Sequence, residues 1–135
     1  MDFSIYFQPS ARFGKDLPEW LAHSLGDGTR FHTPQGFPDL EGAQVALLGV
    51  LDDPGHARPR SCVHAADAIR EQFYKLYRPN GHVHLVDLGD LHPGATLQDT
   101  QHALAETLAE LIRRNIVPII LGGGQGHTYT QYLAY

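Results

Sequence analysis

The sequence predicts an α/β domain. Three short apolar runs, 45–50, 83–88 and 116–121, have strand length. They alternate with amphipathic stretches near 62–77 and 98–114. The links between runs are too long for hairpins and suit right-handed parallel crossovers. With 135 residues, 42% of them hydrophobic and 19% charged, the chain supports one modest core, and disorder and coiled coil are excluded.

Two regimes divide the chain. Residues 1–42 read as an irregular N-terminal arm, broken by Pro9, Pro18, Pro34, Pro38 and several glycines. One short helix is expected there, capped by Asp16, with Trp20, Leu21 and Leu25 on its apolar edge and Gly26 ending it. Residues 43–135 read as the α/β unit.

Val45–Val50 is nearly continuous in apolar residues, as a strand covered on both faces requires. Ser61 is placed to cap the next helix, whose core face is expected to be Ala65, Ala68, Ile69, Phe73 and Leu76. Arg78-Pro79-Asn80-Gly81 ends it. His82–Leu88 alternates and then runs apolar, giving a second strand with His84 on one face. Thr96-Leu97-Gln98-Asp99 resembles a capping box, and Leu104, Leu108, Leu111 and Ile112 form the stripe of the helix it opens. Ile116–Leu121 is the third strand, Gly122-Gly123-Gly124-Gln125-Gly126 the turn after it, and Thr128–Tyr135 opens a third helix. Three parallel strands leave two open sheet edges. The sequence also stops inside a helical pattern, so it reads as a piece of a longer protein or an obligate homo-oligomer.

Composition narrows the partners. Ten basic and fifteen acidic side chains give a formal charge of -5, without the basic stripe of a nucleic-acid binder or the polybasic face that holds an anionic membrane. The longest apolar stretch, 116–121, is interrupted by Pro118 and is too short to span a bilayer. The N-terminus lacks the basic start and apolar run of a secretory signal. Cys62 is the lone cysteine, so internal disulfides and cysteine zinc sites are excluded, and a cytoplasmic location is expected.

In parallel sheets ligands bind beyond the C-terminal strand ends. Three segments fall there: Leu51–His56, Asp87–His92 and Gly122–Thr128. The glycine turn could hold an anion on free backbone N–H groups, although it matches neither the dinucleotide fingerprint nor a Walker loop. Asp87 and Asp90 could bind a cation or orient a histidine; equally, they could shape a turn around Gly89. Of nine histidines, His56, His92 and His127 lie at strand ends, while His23, His32 and His102 read as surface residues. Cys62 reads as a small buried residue rather than a nucleophile.

Taken together, these segments resemble the ureohydrolase family of arginase, agmatinase and formimidoylglutamase. The resemblance rests on Val45–Val50 with its polar loop, Ala66-Asp67-Ala68-Ile69-Arg70, Val86-Asp87-Leu88-Gly89-Asp90, and Asn115–Gly124. The triple glycine and the long arm look most like the formimidoylglutamase branch. The resemblance implies the N-terminal portion of an arginase-like three-layer α/β/α fold. It also implies a manganese-dependent C–N hydrolase in which two Mn2+ ions activate a hydroxide against a formimidoyl or guanidino carbon.

Two departures qualify that implication. The family's first metal-binding histidine follows the strand-end glycines, and Gln125 occupies that position here. An amide is a poorer ligand than imidazole, so the parent could have lost its metal; His127, two residues on, is the remaining candidate ligand. The family's later aspartate motifs are missing from the sequence, so the chain is expected to be inactive alone. Two alternatives stay open. One is a non-enzymatic binding or self-association module with an anion-binding glycine loop. The other is a complete metal hydrolase built from His56, Asp90, His92 and His127.

Overall fold

The computed structural model describes residues 2–13, 18–51, 64–80 and 83–135. Strands β1 (Phe7–Gln8), β2 (Arg30–Phe31), β3 (Val45–Val50), β4 (Leu85–Leu91) and β5 (Val117–Gly122) form one sheet. Helices α1 (Ala65–Phe73), α2 (Leu97–Arg113) and α3 (Thr128–Ala134) accompany it. The order is β1-β4-β3-β5, with β2 also on β4. β4 and β5 both run parallel to β3, as the crossover lengths predict.

The sheet is nevertheless mixed rather than purely parallel, because the arm enters it. β1 pairs antiparallel with the C-terminal half of β4, placing Phe7 opposite Leu91. β2 pairs parallel with its N-terminal half, placing Phe31 opposite Asp87. The expectation of two open edges is therefore corrected: the arm occupies the outer edge of β4, and the outer edge of β5 has no strand on it among the described residues.

Two cores lie on opposite faces of the sheet. Ala46, Leu48, Val50, Val86, Leu88 and Leu91 meet Leu104, Leu108 and Leu111 of α2. Leu47, Leu85 and Leu121 meet Ala66 and Tyr74 from the α1 side. Leu104, Leu108 and Leu111 of the expected α2 stripe are buried, whereas Ile112 is only partly so, and the capping box forms: Thr96 Oγ1 accepts from the Asp99 N–H at 3.2 Å, and Asp99 Oδ2 from the Thr96 N–H at 3.0 Å.

Three expectations are corrected. Residues 18–25 form no α-helix; a 3-10 turn at Gly26–Gly28 is all the helical structure there. Trp20 instead joins an aromatic group, with ring centroids 5.9 Å from Phe13, 6.2 Å from Phe31 and 5.6 Å from Tyr74. Burial of that ring outweighs a weak local helix preference. The second strand begins at Leu85, so His84 precedes it and is exposed.

The third correction is the face of α1. Ala66, Arg70 and Tyr74 are buried, while Ile69 is 44% and Leu76 55% exposed. The helix turns a charged residue inward because the sheet offers carboxylates at that point. The expected cap Ser61 lies outside the described residues. None of the helices is long and apolar enough to cross a membrane among the described residues.

Candidate functional site

The C-terminal end of β4 carries the densest polar structure. In β3 the step from Leu47 to Gly49 spans two residues, whereas its partner step from Asp87 to Asp90 spans three. The extra residue is accommodated at Gly89, whose φ is +83°. This bulge breaks the two-residue alternation, so Asp87 and Asp90 both face α1 and Leu88 and Leu91 both face α2.

Arg70 fills the space between the two carboxylates. Its Nε donates to Asp87 Oδ2 at 2.9 Å, and Nη2 donates to Asp87 Oδ1 at 3.0 Å. Nη1 donates to Asp90 Oδ1 at 2.7 Å and to Asp67 Oδ1 at 3.1 Å. Nη2 also reaches the Gly89 carbonyl at 2.8 Å. The Tyr74 hydroxyl donates to Asp87 Oδ2, and the Gly89 N–H donates to Asp87 Oδ1 at 2.9 Å. Every N–H direction of the guanidinium fork is used, which is the condition under which a buried ion network is tolerable.

Burial opposes the charge on Arg70, but Asp87 and Asp90 outweigh it and hold the guanidinium firmly protonated. Burial is also the largest influence on Asp90 and raises its carboxyl above the ordinary range, against the pull of Arg70. Burial raises the Tyr74 hydroxyl too, reinforced by Asp87. Gly49 makes the network possible, since a Cβ there would lie 2.0 Å from Asp90 Oδ1.

Of the two readings of Asp87 and Asp90, the turn is the one observed, with Arg70 as an added partner. Both oxygens of Asp87 and Oδ1 of Asp90 are engaged in it. Sequence periodicity missed Arg70 because a charged residue on a helix scores as solvent-facing. The legible signal was its place in Ala-Asp-Ala-Ile-Arg beside Asp-Leu-Gly-Asp.

The β5 end is different. Gly122 and Gly123, at φ +75° and +77°, turn the chain into a 3-10 turn, Gln125–His127, and then α3. His127 is 3% exposed. A Cβ at Gly123 would meet its Cδ2 at 3.3 Å and Val50 Cγ1 at 3.1 Å, which locates the imidazole beside the end of β3. Gln101 Nε2 of α2 holds the Gly126 carbonyl at 3.2 Å.

The remaining candidates disperse. His92 is exposed, His56 and Cys62 lie outside the described residues, and His23 and His102 are exposed. His32 is only half exposed, a correction to its surface reading, because its Nδ1 lies 2.8 Å from the Leu88 carbonyl. No group of three or more His, Cys, Asp or Glu able to hold a metal occurs among the described residues.

Comparison with known proteins agrees with this architecture. Residues 43–135 match the sequence profile of the arginase family. A formimidoylglutamase of Streptococcus gordonii is 36% identical over 100 residues, covering 70% of this chain and 30% of that one. A formimidoylglutamase of Salmonella paratyphi C is 33% identical over 92 residues, covering 65% and 29%. The chain thus spans about 30% of the length of these curated relatives.

Solved structures share the fold. Formiminoglutamase of Trypanosoma cruzi with Mn2+ superposes with a TM-score of 0.62 at 21% identity, over 71% of this chain and 36% of that one. Agmatine ureohydrolase of Thermoplasma volcanium gives 0.64 at 18% identity, over 87% and 40%. With the profile match extending over more than half of its residues, the chain belongs to the arginase family.

Proposed function

We propose that the chain is the N-terminal portion of a formimidoylglutamase-like, metal-dependent C–N hydrolase and is not catalytic on its own. The observation that carries this reading is the 36% identity to a formimidoylglutamase combined with coverage of only 30% of its length. The whole protein would act on a linear formimidoyl or guanidino compound, in the cytoplasm.

The described residues do not fit a two-manganese centre. Asp87 and Asp90 are held by Arg70, and His127 is a single buried imidazole. A bridged pair of cations needs several carboxylates and imidazoles converging at one point. No step of hydrolysis is therefore assigned to this chain. Its contribution is the scaffold of three parallel strands and one candidate ligand, His127. Gln125 stands where the resemblance expects an imidazole, which weakens any site formed with the rest of the protein.

Manganese titration by calorimetry into metal-stripped chain tests this, with His127→Ala and Gln125→His in parallel. Weak binding by the wild type, strengthening in Gln125→His, and no turnover of formimidoylglutamate are the expected results. Tight binding by the wild type that disappears in His127→Ala would overturn the view that the chain lacks a metal site. Turnover by the 135 residues alone would overturn the fragment reading.

A further inference from the structure

We infer that the N-terminal arm is a clamp on the C-terminal end of β4, acting on it through Asp67 of α1. The arm lies outside the residues that match the arginase-family profile. It nevertheless holds the bulge at Gly89 from two sides. At β1, the Gln8 carbonyl stands where a Cβ on Gly89 would fall, and the Tyr6 carbonyl accepts from the His92 N–H at 2.8 Å. Just after β2, the His32 N–H donates to the Asp87 carbonyl at 2.9 Å, and His32 Nδ1 lies 2.8 Å from the Leu88 carbonyl. The arm therefore takes backbone groups of residues 87, 88 and 92, and Arg70 takes the carbonyl of Gly89 between them.

The side chains connect the arm to the ionic network itself. Ser10 is 4% exposed, and its Oγ donates to Asp67 Oδ1 at 2.5 Å. That same oxygen accepts from Arg70 Nη1. One carboxylate oxygen thus serves both the arm and the guanidinium that bonds Asp87 and Asp90. Phe13 of the arm, also buried, meets the Tyr74 ring edge-on at 6.2 Å, and the Tyr74 hydroxyl donates to Asp87. Polar groups that share a partner in a buried network are coupled, so removing one changes what the others contribute. Ser10 is accordingly a positioning residue: it fixes Asp67, and Asp67 helps to aim Arg70 at the bulge. The arm's outer tie is of another kind. Arg12 Nη2 donates to Glu71 Oε1 at 2.8 Å between water-exposed side chains, where an ion pair adds little. Ligands of parallel sheets bind beyond this end of the strands, so the clamp sets the backbone geometry offered there.

Amide exchange followed by NMR in the 135-residue chain reads the coupling. The reporter is the Gly89 N–H, which donates to Asp87 Oδ1 and not to the arm. Ser10→Ala should accelerate its exchange roughly tenfold relative to that of Leu48 in the core, with unchanged far-UV circular dichroism. Asp67→Asn, at a side chain 20% exposed, is the second variant and should accelerate it at least as much. Adding Ser10→Ala to Asp67→Asn should then change nothing further, because the hydroxyl acts through that carboxylate. Arg12→Ala should leave Gly89 exchange as in the wild type. Three results would each overturn the inference: Gly89 exchange that keeps its wild-type ratio to Leu48 in folded Ser10→Ala or Asp67→Asn, accelerations that multiply in the double variant, and an equal acceleration by Arg12→Ala.

Discussion

The ends of β4 and β5 flank the end of β3 and are stabilised by opposite means. At β4 the chain buries a full ionic network: one guanidinium, two buried carboxylates, a half-buried third, and a phenol. At β5 it uses two left-handed glycines and one buried imidazole. The first end ties α1 to the sheet, because Arg70 of that helix bonds both Asp87 and Asp90. At the second end the turn rests on the backbone itself, through the positive φ of Gly122 and Gly123. An ionic network at one strand end and a glycine turn with a buried imidazole at the other are two solutions within a single sheet.

Removing Arg70 tests the contrast most severely. Arg70→Met leaves Asp87 and Asp90 buried without their counter-charge, and the loss should be about 3–5 kcal/mol in urea unfolding at pH 7. The deficit should shrink as pH falls, because Asp90, whose carboxyl burial already raises, no longer needs a cation once protonated. A deficit independent of pH would mean that Arg70 acts by packing alone.

The same small substitution at the two ends gives a second comparison. Gly89→Ala forces an L residue to φ +83° and puts its Cβ 2.1 Å from the Gln8 carbonyl oxygen of β1. Strain and collision together should cost about 2–4 kcal/mol. Gly123→Ala meets side chains no nearer than 3.1 Å at φ +77°, so the left-handed penalty of about 1–2 kcal/mol should dominate. Equal losses in thermal unfolding would show that the bulge at β4 is softer than its geometry implies.

The smallest effect concerns Tyr74. Its hydroxyl is raised above the ordinary value of 10.0 by burial and by Asp87. The folded chain therefore keeps the proton where the unfolded chain releases it. Stability from this source is complete below pH 10.0 and declines as pH rises beyond it. Tyr74→Phe should flatten that alkaline decline while costing about 1–2 kcal/mol at neutral pH, from the lost hydrogen bond to Asp87. Unfolding midpoints measured from neutral to alkaline pH in both proteins check it.

Much of the fold was legible from local pattern. Three apolar runs gave the three parallel strands, and Thr96 with Asp99 marked the start of α2, because these features depend on neighbours within a turn or a strand. The N-terminal arm was legible only as irregular. Its two-residue strands carry no periodicity, and they exist because β4 offers an unpaired edge for them to meet. The face of α1 was misread for a similar reason. Ile69 and Leu76 have the greater intrinsic drive to be buried, yet Arg70 goes inward because two carboxylates, brought to one face by the bulge at Gly89, await it there.

By itself, then, the sequence determined the α/β class, the order of strands and helices, and the family, since each follows from local periodicity or from motifs read in series. Only the tertiary structure decided that the arm closes the β4 edge of the sheet. It alone decided that Asp87 and Asp90 belong to Arg70 rather than to a metal. The physical reason is that pairing of distant carboxylates and guanidinium depends on register and burial. Both are set by strand alignment across the sheet, and neither leaves a trace in residue spacing.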